Sequence, residues 1–287
     1  MGTCPGQAHK AAGCFALAIL LWACLGGCAL ASDWRWQGDN GLQLDDNAGL
    51  ASDGTRQRRT AIVSQRLNGQ RPLLRAPHHA VDSAIGLHLA QALRYPGLSH
   101  LDAQLGLGWR WQPGAGFHAT QWGLELRGGA RWSVDPARDG WLTQLTASAQ
   151  QQLTTRLRSE WRLNGRWQEA QAAAFSTGLH QLSLQLDWLH HPRQVLYLRV
   201  EGLEGSFTTT GTGMPALPGS GAVDRAFDPR GERAYRRHGA GTGWLLGLNR
   251  SLSQQLVVDA AVHHVRLHQA DTGYQRTQWM LNLLYRL

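Results

Sequence analysis

The sequence predicts an all-β protein, an antiparallel transmembrane β-barrel of ten or twelve strands with a short N-terminal extension. Three observations predict this fold: runs of alternating apolar and polar residues, an export-signal pattern at the amino terminus, and connections of two lengths. A strand with lipid on one side and water on the other needs such alternation, and it crosses a bilayer with about 9 to 11 residues. The chain can therefore span a membrane without a long apolar segment.

The alternation is most regular in the run from Gln278 to Leu287. Its apolar members are Trp279, Leu281, Leu283, Tyr285 and Leu287, and Gln278, Asn282 and Arg286 occupy the other face. In a second run, from Leu101 to Trp111, both charged residues fall on one face. The same pattern predicts strands at about 83–94, 101–111, 121–132, 141–150, 157–168, 178–190, 193–205, 239–250, 254–268 and 273–287.

The last run resembles the closing strand of Gram-negative outer-membrane β-barrel proteins, because the apolar Leu287 follows two positions after the aromatic Tyr285. The resemblance is to the class and covers residues 83–287. It implies a location in the cell outer membrane, contact with outer-membrane lipid and lipopolysaccharide, and recognition of the C-terminal strand by the barrel-assembly machinery. We expect no cofactor and no nucleic-acid partner.

The amino terminus has the pattern of a secretory signal peptide over residues 1–31. His9 and Lys10 precede an apolar run that ends in Ala29-Leu30-Ala31, which predicts cleavage after Ala31. A lipoprotein signal is the alternative, because Leu25-Gly26-Gly27-Cys28 is similar to a lipoprotein cleavage site. Cleavage there would leave Cys28 lipidated as the first residue.

All four cysteines, Cys4, Cys14, Cys24 and Cys28, lie in this leader, and so does Lys10, the only lysine. After cleavage at Ala31 the chain would contain no cysteine, which excludes disulfides and thiolate metal sites. Its formal charge would fall by one from +8, to +7, carried by arginine. A basic balance suits anionic headgroups or solutes, but it identifies no partner by itself.

The connections between the predicted strands alternate between short and mostly longer segments. The short turns are predicted at 112–116, 151–153, 190–194 and 251–255, and the long loops are clearest at 168–177 and 206–238. Bacterial barrels have short periplasmic turns and long outer loops. With Leu287 in the periplasm, the segment from Ser206 to His238 would lie outside the cell.

Residues 32–82 form an N-terminal segment with three interpretations, of which the first is a disordered periplasmic tail. Asp39, Asp45, Asp46 and Asp53 make its first part acidic, so it could enter the barrel as a plug. Alternatively, Arg59 to Asn68 could pair with the stretch from Asp33 to Gln37 as a first hairpin, which would raise the strand count from ten to twelve.

Tryptophan supports the membrane interpretation. Nine tryptophans fall on the predicted outer face, several near strand ends: Trp109, Trp111, Trp122, Trp132, Trp161, Trp167, Trp188, Trp244 and Trp279. Amphipathic rings favour the headgroup boundary. A soluble β-sandwich with one tryptophan-rich face would show similar alternation, but it would not explain the export signal and the arginines inside strands.

The opposite strand face is rich in charge. The predicted lumen-lining residues are Arg110, Glu125, Arg127, Arg131, Arg158, Glu160, Arg162, Arg199 and Glu201, with Arg166, Asp102 and Asp187 on the same face. The arginines could line a narrow anion-attracting pore. They could equally pair with the acidic residues in a closed interior.

A second basic group follows the long loop: Arg230, Arg233, Arg236 and Arg237. Guanidinium groups bind phosphate through paired hydrogen bonds, so these residues are candidates for lipopolysaccharide contact. A solvated loop base is the alternative.

Hydrolytic barrels are the main alternative function, acting on lipid A, phospholipid or peptide. No histidine is followed two places later by serine, and the Asp-x-His pair of omptin-type proteases is absent. His180 with Ser183 or Ser176, and His238 at the loop base, are the residues to examine first. We expect no metal site, since adjacent histidines on a strand face opposite sides.

The sequence therefore predicts a narrow channel, porin-like or structural, with an arginine-rich lumen. A barrel enzyme and a surface adhesion or assembly module acting through the 206–238 loop remain as alternatives.

Overall fold

The computed structural model describes residues 33–52, 57–211, 221–227, 232–269 and 272–287, so the predicted leader lies outside the described residues. The strands are β1 Arg35–Asp45, β2 Thr60–Arg75, β3 His79–Ala92, β4 His100–Trp111, β5 Gln121–Ser133, β6 Gly140–Gln152, β7 Leu157–Ala170, β8 Thr177–His191, β9 Gln194–Gly211, β10 Gly221–Val223, β11 Arg233–Ser251, β12 Leu256–Gln269 and β13 Thr272–Arg286. Within the described ranges, 3-10 turns lie at Pro96–Leu98, Pro136–Arg138 and Ala173–Phe175. In these ranges no helix is long and apolar enough to cross a membrane.

The strands form one closed antiparallel barrel. Neighbours in sequence pair with each other, and β1 closes the ring against β13 with Leu42 opposite Leu281. β9 pairs directly with β11, and the short β10 only adds to the edge of β11. The wall therefore has twelve strands, which confirms the predicted fold class and one of its two strand numbers.

The barrel begins earlier than residue 83. β1 and β2 pair along their length, from Arg35 opposite Gln70 to Asp45 opposite Thr60. The acidic residues Asp39 and Asp45 therefore belong to the wall and not to a plug. Alternation in β1 is weak because Gly38 and Asn40 occupy positions where lipid-facing strands usually carry apolar side chains.

One face of the strands carries the exposed apolar side chains. Leu105, Trp141 and Trp279 are 67%, 66% and 61% exposed, values that would be unfavourable in water. Tryptophans lie near both ends of the strands, Trp132 and Trp141 at one end and Trp109 and Trp122 at the other. This is the outer face of the barrel, and the opposite face is called the inner face below.

The two ends of the barrel differ. The turn end carries the connections 76–78, 112–120, 153–156, 192–193 and 252–255, together with the start of β1 and the end of β13. The loop end carries the connections after β1, β3, β5, β7, β9 and β12, whose described residues include 46–52, 57–59, 93–99, 134–139, 171–176 and 224–227. By the sidedness of bacterial barrels, the turn end is periplasmic and the loop end extracellular.

Two predicted connections are corrected. β9 continues to Gly211 and β11 begins at Arg233, so the loop predicted at 206–238 is shorter. The turn predicted at 112–116 extends to residue 120. The extension of β9 and β11 has no apolar outer stripe, since β11 carries the exposed Arg236 and His238 there, so alternation could not reveal it.

Candidate functional site: the inner face and the outer cap

The inner face holds the predicted lumen residues. All nine lie on strands β4, β5, β7 and β9, and the strand pairing puts their side chains on the same face of the sheet: Arg110, Glu125, Arg127, Arg131, Arg158, Glu160, Arg162, Arg199 and Glu201. Contacts between strands that are not neighbours lie on this face, such as Tyr197 Oη of β9 donating to Asp259 Oδ1 of β12 at 2.8 Å. Such contacts identify the face as the concave side of the sheet.

Each of the six predicted arginines has a carboxylate partner. Arg127 Nε donates to Glu125 Oε1 at 2.7 Å, and Arg162 Nη2 donates to Glu160 Oε1 at 2.6 Å. Arg158 pairs with Asp187, Arg110 with Asp82, and Arg199 lies 3.3 Å from Glu201. Their positive charges are thus largely compensated within the wall.

Arg131 forms the most extensive of these pairs. Its Nε and Nη2 each lie 2.7 Å from an oxygen of Asp102, and its Nη1 donates to Gln168 at 3.0 Å. His88 and His100 lie 3.7 and 3.8 Å from Asp102 Oδ2. Two histidines and a carboxylate could in principle bind a metal, but both carboxylate oxygens already accept from Arg131. The arrangement favours an ion-pair network over a metal site.

Two other arginines differ. Arg66 of β2 and Arg166 of β7 lie on the inner face. Neither makes a hydrogen bond or a close ion pair to another residue of the described chain, although Asp39 is near enough to Arg66 to interact electrostatically. β2 and β7 are separated by four strands, yet the charges of Arg66 and Arg166 interact with each other. Arg166 interacts electrostatically more strongly with Arg131 and Asp102 than with Arg66.

The loop-end part of the inner face is apolar. Leu203, Phe207, Leu267 and Tyr274 form a buried cluster, and Leu50 packs against it from the 46–59 loop. Leu50 has a backbone φ of 48°, a left-handed conformation that is unfavourable for leucine. The loop is thus held with an apolar side chain inside the barrel mouth.

We name as the outer cap the described loop residues 46–52, 57–59, 93–99, 134–139, 171–176 and 224–227. Asn47 is fully buried, and its side chain bonds to Ala51 and to the carbonyl of Gln275 at 2.8 Å. Gly49 O accepts from Thr210 N at 2.9 Å, which links the loop after β1 to the end of β9. Because β13, β12 and β11 lie between those strands, this loop crosses the barrel mouth.

Asp224 joins several loops of the cap. It is fully buried, and Arg138 Nη2 donates to both of its oxygens, at 2.9 and 3.0 Å. The guanidinium of Arg138 also lies 4.1 Å from the Phe175 ring centre. Thr210 Oγ1 donates to Asp224 at 3.0 Å. One carboxylate thus connects the loops after β5 and β9, with the loop after β7 packed against its partner.

The residues considered for lipopolysaccharide are spread. Arg230 lies outside the described residues, whereas Arg233 and Arg236 are exposed on the extension of β11. Arg237 faces inward, with its guanidinium 5.3 Å from the Tyr235 ring centre. The three described arginines therefore do not form one surface.

The residues considered for hydrolysis are also separated. His180 lies on the outer face against Trp167, with ring centres 5.5 Å apart. Ser183 is buried on the inner face, and Ser176 Oγ bonds to the backbone of Ala170. His238 is exposed on β11. Within the described chain these groups do not meet as a nucleophile and its base.

Sequence reasoning missed Arg66, because the barrel was expected to start at residue 83. It also missed the outer cap, because Asp224 and Arg138 lie 86 residues apart and neither belongs to a periodic pattern. A buried carboxylate in a polar loop leaves no local signal in a single sequence.

No protein-family model matches the chain, and no curated protein matches it in sequence. The structure is similar to an outer-membrane channel from Pseudomonas putida F1, with a TM-score of 0.59 and 11% identity over 89% of this chain and 96% of that one. The KdgM porin in complex with disordered oligogalacturonate has a TM-score of 0.46 and 9% identity, over 87% of this chain and 98% of that one. The Pseudomonas putida toluene transporter TodX has a TM-score of 0.45 and 9% identity, with 90% of each chain covered.

The first likeness establishes a shared fold, and the other two are too distant to add to it. The fold is that of an outer-membrane β-barrel. The apolar outer face between two levels of tryptophan places the barrel wall in the outer membrane, because this surface needs lipid around it.

Proposed function

We propose that this protein is a narrow outer-membrane channel that favours small anions. The observation that carries the proposal is that Arg66 and Arg166 lie on the inner face and form no hydrogen bond or close ion pair with another described residue. Rings of positive side chains favour anions in pores. The six paired arginines define the shape and polarity of the wall, and these two carry positive charge that no close ion pair balances.

The outer cap supports a low conductance. Leu50 and the apolar cluster occupy the inner face of β9, β12 and β13 at the loop end. A solute must pass beside this cluster, so the free cross-section is smaller than the barrel itself. We therefore expect small unitary currents that increase when the cap is loosened.

The test is the reversal potential of the refolded protein in a planar bilayer under a salt gradient. Wild type should be anion-selective, and the double variant R66Q/R166Q should lose that preference. The matched control is R156Q/R193Q, which removes two exposed arginines from the turn end. A folded barrel that passes no ions, or a preference unchanged in R66Q/R166Q, would overturn the proposal.

We also propose that the barrel-assembly machinery recognises β13 through its outer stripe, which includes Trp279, Leu281 and Leu283. The variant L281S/L283S should insert more slowly into liposomes containing the purified machinery. L105S/L107S is the control, since these leucines are exposed to a similar or greater extent on β4. Equal slowing in both variants would show that hydrophobicity alone matters.

A further inference from the structure

The outer wall has a groove beside β13, β1 and β2 at the loop end. It has a volume of about 810 Å³, and its lining includes Leu44, Arg59, Leu93, Arg94 and Trp279. Leu44 lies opposite Trp279 in the sheet, and the two are 50% and 61% exposed on the outer face. The part of the groove that Leu44 and Trp279 form is therefore part of the surface that contacts lipid.

Two acidic residues, Asp45 and Asp46, also line the groove, and both are already engaged. Asp45 pairs with Arg276 and accepts from Gln278 at 3.1 Å, and Asp46 Oδ1 accepts from the backbone of Thr277 at 2.7 Å. Arg276 therefore offsets the charge of Asp45, whereas Asp46 remains an anion, so the groove keeps a net positive charge from its two arginines.

The two arginines of the groove are exposed and available. Arg59 precedes β2 and Arg94 follows β3, so both lie just beyond the ends of the membrane-spanning strands. Neither forms an ion pair with another described residue, and Arg94 rests 5.5 Å from the Tyr95 ring centre. Lipid phosphates lie at the ends of membrane-spanning strands, so the guanidinium groups of Arg59 and Arg94 are at the level of the phosphates. The apolar side chains of the groove lie next to them, on the side toward the middle of the membrane.

We propose that this groove binds a phosphorylated glycolipid of the outer leaflet, the lipid A part of lipopolysaccharide. Its phosphate would bind Arg59 and Arg94, and an acyl chain would lie along Leu44, Leu93 and Trp279. Guanidinium groups are suited to phosphate, and the apolar wall below is suited to the chain. The proposal rests on the outer-membrane location and is independent of ion conduction.

The test is the amount of lipid A retained by the barrel in nanodiscs, measured by native mass spectrometry. R59Q/R94Q should retain less, on the order of tenfold, as expected when charge-assisted hydrogen bonds are lost. R156Q/R193Q removes equal charge from the turn end and should behave like wild type. Wild type should also lose retention with dephosphorylated lipid A, while added inorganic phosphate should not compete.

Three results would overturn the inference. One is unchanged retention in R59Q/R94Q that still migrates as a folded barrel on gels run without heating. Another is a loss of retention in R233Q/R236Q instead, which would place the lipid on the extension of β11. The third is retention that requires phosphate but not an acyl chain, because the apolar wall of the groove would then have no part in binding.

Discussion

The loop end and the turn end are built from the same strands but differ in burial. At the loop end, Asn47, Thr209 and Asp224 are almost fully buried. At the turn end, the connections around Pro113, Thr155 and Arg193 are exposed. Burial therefore depends on loops that reach each other across the mouth, since the wall alone does not cover either end.

The largest expected effect comes from removing the carboxylate of Asp224. D224A leaves the Arg138 guanidinium in the cap without its partner, and breaking a buried pair costs about 3–5 kcal/mol. Hydrogen exchange should become much faster in residues 93–99 and 134–139. The control is D82A at the turn end, where the partners Arg75 and Arg110 are about half exposed and a small effect is expected. Equal effects in both variants would contradict the difference between the two ends.

A smaller effect is expected from crowding the contact between two cap loops. A Cβ at Gly97 would lie 2.6 Å from Ala226 Cα, so G97L should separate the loops and cost about 1–3 kcal/mol. Unitary conductance should rise. G116L in the 112–120 turn is the matched control, because nothing lies within 4 Å of its Cβ. An unchanged conductance in G97L would show that this contact does not restrict the path.

The smallest effect concerns pH. Burial raises the pKa of Asp135, which lies in the cap loop 134–139, above its ordinary value. A raised pKa in the folded state means that protonation stabilises the cap, so this contribution is lost as pH rises through that pKa. Hydrogen exchange of 134–139, corrected for intrinsic rates, should slow in wild type as pH falls, and less so in D135N. Identical pH profiles would contradict the assignment.

Periodicity predicted the wall and could not predict the cap. The strands after residue 83 alternate because lipid and water impose a different chemistry on each face, and this alternation is what predicted that Arg131 and Glu201 point inward. β1 was obscured by Gly38 and Asn40 on the outer face. The cap depends on contacts such as Arg138 with Asp224, which join distant loops and follow no period. The ion-pair partners of the inner arginines could likewise be identified only from the three-dimensional arrangement.

The most direct test of a capped channel is a cross-link between Gly49 and Thr210. A Cβ at Gly49 would lie 3.4 Å from Thr210 Cβ, close to the spacing of about 3.5–4.5 Å found in disulfides. All natural cysteines lie within residues 4–28, so a G49C/T210C chain produced from Ser32 onward contains only the two introduced cysteines and can be oxidised selectively. Single-channel current should be lower in the oxidised protein and should increase when reductant is added. Equal current in both states, or no current in either, would contradict the account.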